Sequence, residues 1–484
     1  MTRLVVGPFN RVEGDLEVQL EISQGSVVDA YVVSSLYRGF EAMLVDKPAA
    51  DALVYAPRIC GICSVSQSVA AARALAAASG LHMADNAQLA VNLVHAVENL
   101  ADHLTHFYMF FMPDFARAFY RDRPWYEPVR DRFAAIKGTA AAEFLPARAE
   151  LMRLMGIVAG KWPHTLSLRP GGTTRPLTRA EIARMGAMLV RFRRFFERVI
   201  LGDSLEAVTA LTSREALLDW ALARADRADF ARFVQISEAL NLGKVGRTEI
   251  RHMSYGAYPG ANGPLFARGS FAAGLGARLD TTRIAEDVSH AWYADTLNGE
   301  PVAPTAATTI PDLTRDDAYS WCKAPRLGGE VIEVGALSRQ LVNGHPLLRD
   351  IAAKAGASVE ARIVARIVEA ALLVLAMQEW LERIDPAAPF LSDDRIAQNG
   401  TGEGLTEAAR GSLGHWLNIV DGRLAGYQIV APTTWNFSPR DRAGTPGPLE
   451  QALRGTPVEQ GQGGPVTVQH VVRSFDPCMV CTVH

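Results

Sequence analysis

Cysteine is scarce in this chain, five in 484 residues, too few to staple a protein of such length, so a disulfide framework is excluded. Long hydrophobic runs are missing too. The longest, Ala370 to Met377, falls far short of the roughly 20 apolar residues that cross a bilayer, and Glu369 and Glu379 flank it closely. No membrane span is expected. A basic excess is also absent: Lys and Arg number 49 against 52 Asp and Glu, a net charge of −3, which argues against a nucleic-acid partner. The opening MTRLVVGPFN lacks the apolar stretch of a secretory signal, so the cytoplasm is the expected compartment unless a partner's signal exports the chain. Repeats, low-complexity linkers and charge blocks are not found either, and nothing marks a hinge between independent units.

What is present is 49% hydrophobic and 21% charged residues, the composition of a soluble globular protein. The length suits about three average domains or one large body. Leu16, Val18, Leu20 and Ile22 alternate with polar neighbours, Ser23-Gln24-Gly25-Ser26 makes a turn, and Val27 to Val33 resumes an apolar run. This predicts an N-terminal β-hairpin within about residues 4–34. Helices are expected at 64–79, at 86–112 from the spacing of Leu89, Leu93, Leu100, Leu104 and Phe111, at 139–157, at 178–200 behind a Thr178-x-x-Glu181 capping box, at 214–224 and at 359–384. The Gly- and Pro-rich stretch 254–277 reads as irregular, and strand-like material returns at Leu424–Val430 and Val466–Val472. The expected fold is mainly α with small β-sheets near the N- and C-termini, in one large domain spanning 1–484.

Four of the cysteines form two Cys-x-x-Cys pairs, Cys60/Cys63 and Cys478/Cys481; Cys322 stands alone and is most simply a buried structural thiol. The spacing lets two thiolates converge on one metal or form a redox disulfide. A thioredoxin-type motif needs one pair beside a βαβ unit, whereas here two pairs lie in a mostly helical setting. A structural zinc site is the plain alternative, but such sites fold a small local loop. More than four hundred residues separate Cys63 from Cys478. Such a span would staple the first and last parts of the protein onto one site, which suits a buried cofactor better than a local clip, and the hairpin and a C-terminal segment of about 424–484 are expected to converge there.

The contexts of the pairs are Arg58-Ile59-Cys60-Gly61-Ile62-Cys63 and Asp476-Pro477-Cys478-Met479-Val480-Cys481-Thr482-Val483-His484. With them come Arg11-Val12-Glu13-Gly14, Arg38-Gly39-Phe40-Glu41, Asp102-His103 with His106-Phe107-Tyr108, Pro170-Gly171-Gly172, Tyr319 to Arg326, Arg410-Gly411 with Gly414-His415, and Pro432-Thr433-Thr434-Trp435-Asn436. Together these resemble, along nearly the whole chain, the large subunit of nickel-iron hydrogenases. The resemblance implies that family's fold and heterolytic cleavage or formation of hydrogen at a nickel-iron centre whose iron carries carbon monoxide and cyanide. Carried over, Cys60 and Cys478 are terminal nickel ligands, and Cys63 and Cys481 hold nickel and bridge to iron, metals that thiolate suits. Two divalent metals balance four thiolates, so the cyanides leave the cluster negative. Arg410 matches the family's arginine over the metals, oriented by Asp102 and Asp476.

The proton released from hydrogen goes either to a terminal thiolate, Cys478 first among them, or to Arg410. Glu13 matches the relay glutamate, whose pKa should be raised. Glu41, His484 and the backbone carbonyl of about Ile429 match a magnesium site, although magnesium ordinarily prefers oxygen to imidazole. His103 and His106 are expected to support Asp102; His95, His252, His290 and His470 read as core or surface residues. Because only Cys322 remains beyond the four ligands, too few for an iron-sulfur cluster, the resemblance implies a cluster-bearing small subunit bound through a large permanent interface, with a dimer of heterodimers as a further assembly.

The chain also departs from catalytic members of the family. Gln67 stands where they usually have histidine, Ile62 for valine, Phe110 for leucine, Ala409 for proline and Asp15 for histidine. These departures resemble the regulatory, hydrogen-sensing branch, which signals to a histidine kinase. There the bulk of Ile62 and Phe110 on the gas route is associated with oxygen tolerance; both also read as volume-adjusted core residues. Relatives usually carry an extension past the His484 position, removed after nickel insertion, so the chain is expected to be either processed or encoded without one. The alternatives are an uptake hydrogenase large subunit in processed form and a non-catalytic protein with a structural four-cysteine zinc site.

Overall fold

The apolar run that is too short for a membrane lies inside the helix Val359–Arg383, which is buried on nearly every side. In the computed structural model, which describes residues 2–296, 298–458 and 464–482, the helices Asp85–Thr105, Arg179–Phe195, Ala336–Asn343, Pro346–Ala355 and Val466–Ser474 pack against it. Charges on this helix are matched: Arg362 with Glu333 at 2.8 Å, Arg366 with Asp476 at 2.9 Å and Glu369 with Arg339 at 2.6 Å. Unpaired, each would cost several kcal/mol in such surroundings. Among the described residues no helix is long and apolar enough to cross a membrane.

The N-terminal sheet is antiparallel, in the order Thr2–Val6, Leu16–Ser23, Ser26–Ser34. Leu16, Val18 and Leu20 face the core as their alternation predicts. The turn residues Gln24 and Gly25 both have positive φ, 50° and 75°, the two-residue hairpin geometry that matches strand twist. The capping box forms as well: Thr178 Oγ1 accepts from the Glu181 N–H at 3.2 Å, and the Glu181 carboxylate accepts from the Thr178 N–H at 2.9 Å. The helix expected over 86–112 runs as Asp85–Thr105 and loosens into a π turn at His106–Phe111.

Three expectations are corrected. Residues 254–277 are not irregular: Arg251–Ala257, Phe266–Ala272 and Leu275–Ala277 form a sheet with Ile332–Glu333. Much of the Gly and Pro density falls in the connection at 258–265, while Met253, Tyr255 and Phe266 are buried as strand residues. Val466–Ser474 is a helix, not a strand; Val466, Val468, Val471 and Val472 are all buried, and tertiary packing overrides the β preference of valine. The helix expected over 214–224 stops at Leu222.

The C-terminal sheet sets the site. Its strands Gly400–Ala408, Gly411–Val420 and Arg423–Val430 pair antiparallel in sequence order. The first lies directly on the helix Ser64–Ser79 because it presents glycine at every second residue. A Cβ at Gly400, Gly402 or Gly404 would stand 2.3, 2.0 or 1.9 Å from the carbonyl oxygens of Ala78, Ala74 and Ala70. Glycines two apart on a strand meet alanines four apart on a helix, the periods of the two elements. This contact fixes the hairpin turn carrying Arg410 against the helix that starts after Cys63. Elsewhere the Val27 N–H donates to the Thr456 carbonyl at 2.9 Å, joining the N-terminal sheet to the C-terminal region.

Candidate metal centre

Each cysteine pair sits on a short turn where the chain changes direction. Cys60 follows the 3-10 turn Ala56–Arg58, and Cys63 occupies the cap position of the helix Ser64–Ser79. The helix start is held by Glu98, whose carboxylate accepts from the Val65 and Ser66 N–H groups at 2.8 and 2.9 Å and from the Trp162 indole at 3.0 Å. At the other end of the chain, Asp476 has φ +57°, which turns the chain sharply out of Val466–Ser474 toward Cys478. Met479–Cys481 is a 3-10 turn.

The four thiols meet. Cys60 and Cys478 Sγ are 3.4 Å apart, Cys63 and Cys481 3.3 Å, Cys478 and Cys481 2.9 Å. All four are buried and lie within 4.8 Å of one another, the one group of potential metal-binding side chains that converges among the described residues. Arg38, exposed on this side of the chain, ties the turns together, donating to the carbonyls of Ile59, Arg58 (3.2 Å) and Val480 (3.4 Å).

Beside the thiols lies a buried cation. Arg410 donates through Nη1 to Asp102 at 2.5 Å, through Nη2 to Asp476 at 3.1 Å and through Nε to the Asp476 carbonyl at 3.0 Å. Burial alone would pull its pKa down, but the charges of Asp102, Asp476, Cys478 and Cys63 hold it well above the ordinary value. Glu13 is tied to Cys478 by backbone: the Met479 N–H donates to the Glu13 carbonyl at 2.7 Å, and Glu13 and Cys478 form a parallel β-bridge. Burial first, and the Cys60 charge second, push the Glu13 carboxyl up, against smaller pulls from Arg410 and Arg38.

The thiols themselves fit metal. Hydrogen bonds from the other three pull Cys60 well down, hydrogen bonds and burial push Cys63 well up, and burial pushes Cys478 up and Cys481 well up. Three of the four thus favour the protonated form until positive charge joins them; as thiolates the four would outweigh one guanidinium, and sulfur donors suit soft metals rather than calcium or magnesium.

A family model for nickel-dependent hydrogenases matches residues 38–119 and 115–484. The chain belongs to the nickel-dependent hydrogenase family. The large subunit of the periplasmic [NiFeSe] hydrogenase of Desulfomicrobium baculatum is 28% identical over all of this chain and 95% of its own length. The hydrogenase-2 large chain of Escherichia coli is 27% identical over all of this chain and 97% of its own. The solved Ni-Fe-Se hydrogenase of D. vulgaris Hildenborough in the reduced state superposes with a TM-score of 0.85 at 29% identity, covering both chains fully. The protein is therefore a hydrogenase of the nickel-iron type, which implies a centre of nickel and iron and sets the zinc alternative aside. The expected mainly helical fold with small sheets is the one found.

This hydrogenase brings Cys60, Cys63, Cys478, Cys481, Glu13, Asp102, Asp476 and Arg410 into one place. Gln67 lies one helical turn after Cys63, its N–H donating to the Cys63 carbonyl at 3.1 Å. Its Oε1 is 2.8 Å from His415 Nε2, whose Nδ1 is 2.7 Å from the Tyr427 hydroxyl, and its Nε2 is buried without a partner. Ile62 is half-buried against the apolar cluster around the cysteines. Phe110 is half-buried in the π turn, its carbonyl accepting from Arg11 at 3.1 Å.

Glu41 belongs to a separate buried cluster. Its carboxylate accepts from the Ile429 N–H at 2.8 Å, from the Lys323 ammonium at 2.9 Å and from Thr309. Lys323 also faces Glu286 at 3.4 Å and Gln428 at 2.9 Å. His484 lies outside the described residues. Cys322 is buried apart from the centre; its thiol donates to the Lys323 carbonyl at 3.3 Å, and burial pushes it up. His103 pairs with Glu369 at 3.0 Å, and His106 donates to the Arg473 carbonyl at 2.7 Å. Sequence reasoning gave no role to Arg38, Glu98, Lys323, Glu286, Arg366, His415 or Tyr427. Arg38, Lys323 and His415 stood inside the motifs that carry the resemblance, and their functions depend on contacts that no motif spells out.

Proposed function

We propose that this chain is a large subunit that splits and forms hydrogen heterolytically, with Cys60 and Cys478 as terminal nickel ligands and Cys63 and Cys481 bridging nickel to an iron that carries carbon monoxide and cyanide. When bound, the metals supply the electrophile that polarises hydrogen and takes its electron pair. The chain's residues handle the proton. Arg410 is locked as a donor on all three sides by Asp102, Asp476 and the Asp476 carbonyl, so it remains a cation and balances the anionic centre. Between the two candidate bases this favours the Cys478 sulfur. Glu13, fastened to the same turn, carries the proton away. The observation that supports the reading most is the meeting of four buried thiols from the two ends of the chain beside that cation. Metal analysis of the purified protein tests it: nickel and iron are expected, together with infrared bands of metal-bound carbon monoxide and cyanide. Zinc without nickel sinks it.

The Glu41 cluster is read as the magnesium site, with the Ile429 carbonyl and His484 completing it. Two carboxylates there face one ammonium, and Glu286 Oε1 is buried without a partner, so the oxygen-donor set has room for further positive charge.

The finer reading is a hydrogen sensor of the regulatory branch, cytoplasmic and oxygen-tolerant, built as a dimer of heterodimers with an iron-sulfur small subunit and signalling to a histidine kinase. Gln67, Ile62 and Phe110 support it. Hydrogen-dependent change in phosphorylation of a co-purifying kinase is the expected result. Sustained hydrogen uptake coupled to respiration, without a kinase, would favour the uptake enzyme. Replacing Ile62 by Val and Phe110 by Leu is expected to speed inactivation by oxygen.

A further inference from the structure

Arg410 sits at the tip of a hairpin of unusual kind. Ala408 pairs with Gly411, so the connection is just Ala409 and Arg410. Two-residue hairpins ordinarily rely on positive φ at one or both central residues. Neither Ala409 nor Arg410 has it; it falls instead on Gly411, which closes the turn at φ +133°, and the turn also has support from outside.

That support is Arg339, a fully buried side chain on the helix Ala336–Asn343. Its Nη1 donates to the Ala408 carbonyl at 2.8 Å and its Nη2 to the Ala409 carbonyl at 2.9 Å, a fork clamped on the two peptides that lead into Arg410. Glu369 at 2.6 Å and Glu407 at 2.8 Å neutralise it.

The same residue closes a ring. From Arg410 the contacts run to Asp476 at 3.1 Å, then to Arg366 at 2.9 Å and from Arg366 to His103 Nδ1 at 3.3 Å. They continue from His103 Nε2 to Glu369 at 3.0 Å, to Arg339, and through the Ala409 carbonyl back to Arg410. Donating to Glu369 through Nε2 and accepting from Arg366 through Nδ1, His103 serves the ring as the neutral ring tautomer. The guanidinium end and the backbone end of Arg410 are thus held by one connected set of buried charges.

We propose that Arg339 is the positioning residue for Arg410, fixing the Ala409–Arg410 turn so that the Arg410 guanidinium stays beside the four thiols. The inference rests on the role given to Arg410 above. It is tested on the complete metal-loaded complex with Arg339→Lys, which keeps the charge but cannot fork onto two carbonyls, with Arg410→Lys, and with both together. Arg339→Lys is expected to retain nickel and iron, to lower kcat by about 10- to 100-fold with KM for hydrogen little changed, and to shift the nickel paramagnetic resonance spectrum. In the Arg410→Lys background it should cost nothing more. Parental kcat and an unchanged spectrum in Arg339→Lys, with Arg410→Lys inactive, overturn the inference, as do losses that multiply in the double variant. A fully active Arg410→Lys instead overturns the reading of Arg410 itself. If Arg339→Lys does not accumulate, the variant R339M/E369Q/E407Q, which removes the fork with the charges it neutralises, carries the same expectation; failure of both to fold assigns Arg339 to the fold alone and ends the proposal.

Discussion

Glu13 shows how a single side chain is made fit for proton transfer. Half-buried beside Cys60, it titrates above the ordinary carboxylate value because burial and a neighbouring thiolate both disfavour its charge. A carboxyl so placed holds its proton more readily than an exposed one, which suits a group that takes a proton from a thiol and passes it on. Glu13→Gln keeps the shape and removes the exchangeable charge, and is expected to lower hydrogen–deuterium exchange with solvent by about 10²-fold or more while metal content stays constant. Glu13→Asp should recover part of it. The acid limb of the wild-type rate profile, lying above the usual carboxylate range, should vanish in Glu13→Gln; an unchanged limb would place the relay on another group. Glu13 was legible in the sequence because a motif marked it. Lys323 was not given a role, since an ammonium shared between Glu41 and Glu286, 282 and 37 residues away, leaves no local trace.

At the scale of elements the decisive contact is the strand Gly400–Ala408 on the helix Ser64–Ser79. Its signal was present as two periods in two distant segments, glycine every second residue and alanine every fourth, and neither period means much until the partners are known. Gly402→Ala drives a methyl to within 2.0 Å of the Ala74 carbonyl, a backbone atom that cannot step aside. The expected cost is at least about 1–3 kcal/mol of overpacking, read as a fall in melting temperature, with Gly426→Ala, where a Cβ meets open space, as the neutral control. Equal melting temperatures for the two variants would refute the interlock.

Asp114 governs a second element, the loop before Glu13. Burial raises its pKa, but nearby His470, Arg473 and Arg11 outweigh this and hold it well below the ordinary range. A carboxyl with a depressed folded pKa stabilises the fold above its unfolded value of about 3.9 and loses that contribution as pH falls further. The melting temperature should therefore drop below about pH 4, and less steeply in Asp114→Asn, which at neutral pH should already cost about 3–5 kcal/mol by leaving Arg473 and Arg11 without their counter-charge. Parallel pH profiles for the two proteins would remove Asp114 from the account.

Across the whole molecule, the sequence made the joining of the two ends readable through four cysteines, while the middle sheet and the helix Val466–Ser474 stayed hidden. Gly and Pro in the 258–265 connection masked the sheet, and the β preference of four valines masked the helix, which is set by its tertiary burial. The same burial decides what the metals do for the fold. Val466, Val468, Val471, Val472 and Phe475 are all buried against the main core, each worth about 1.5–3 kcal/mol, so that helix docks without help from the centre. Only the turns that carry the thiols depend on metal, because without it four buried sulfurs face one guanidinium. In protein purified without nickel or iron, amide hydrogen exchange is expected to quicken at 59–64, 409–411 and 476–482 and to stay slow in Val359–Arg383 and at the glycine–alanine interlock. Loss of protection across the central helix would mean instead that the metals hold the body together.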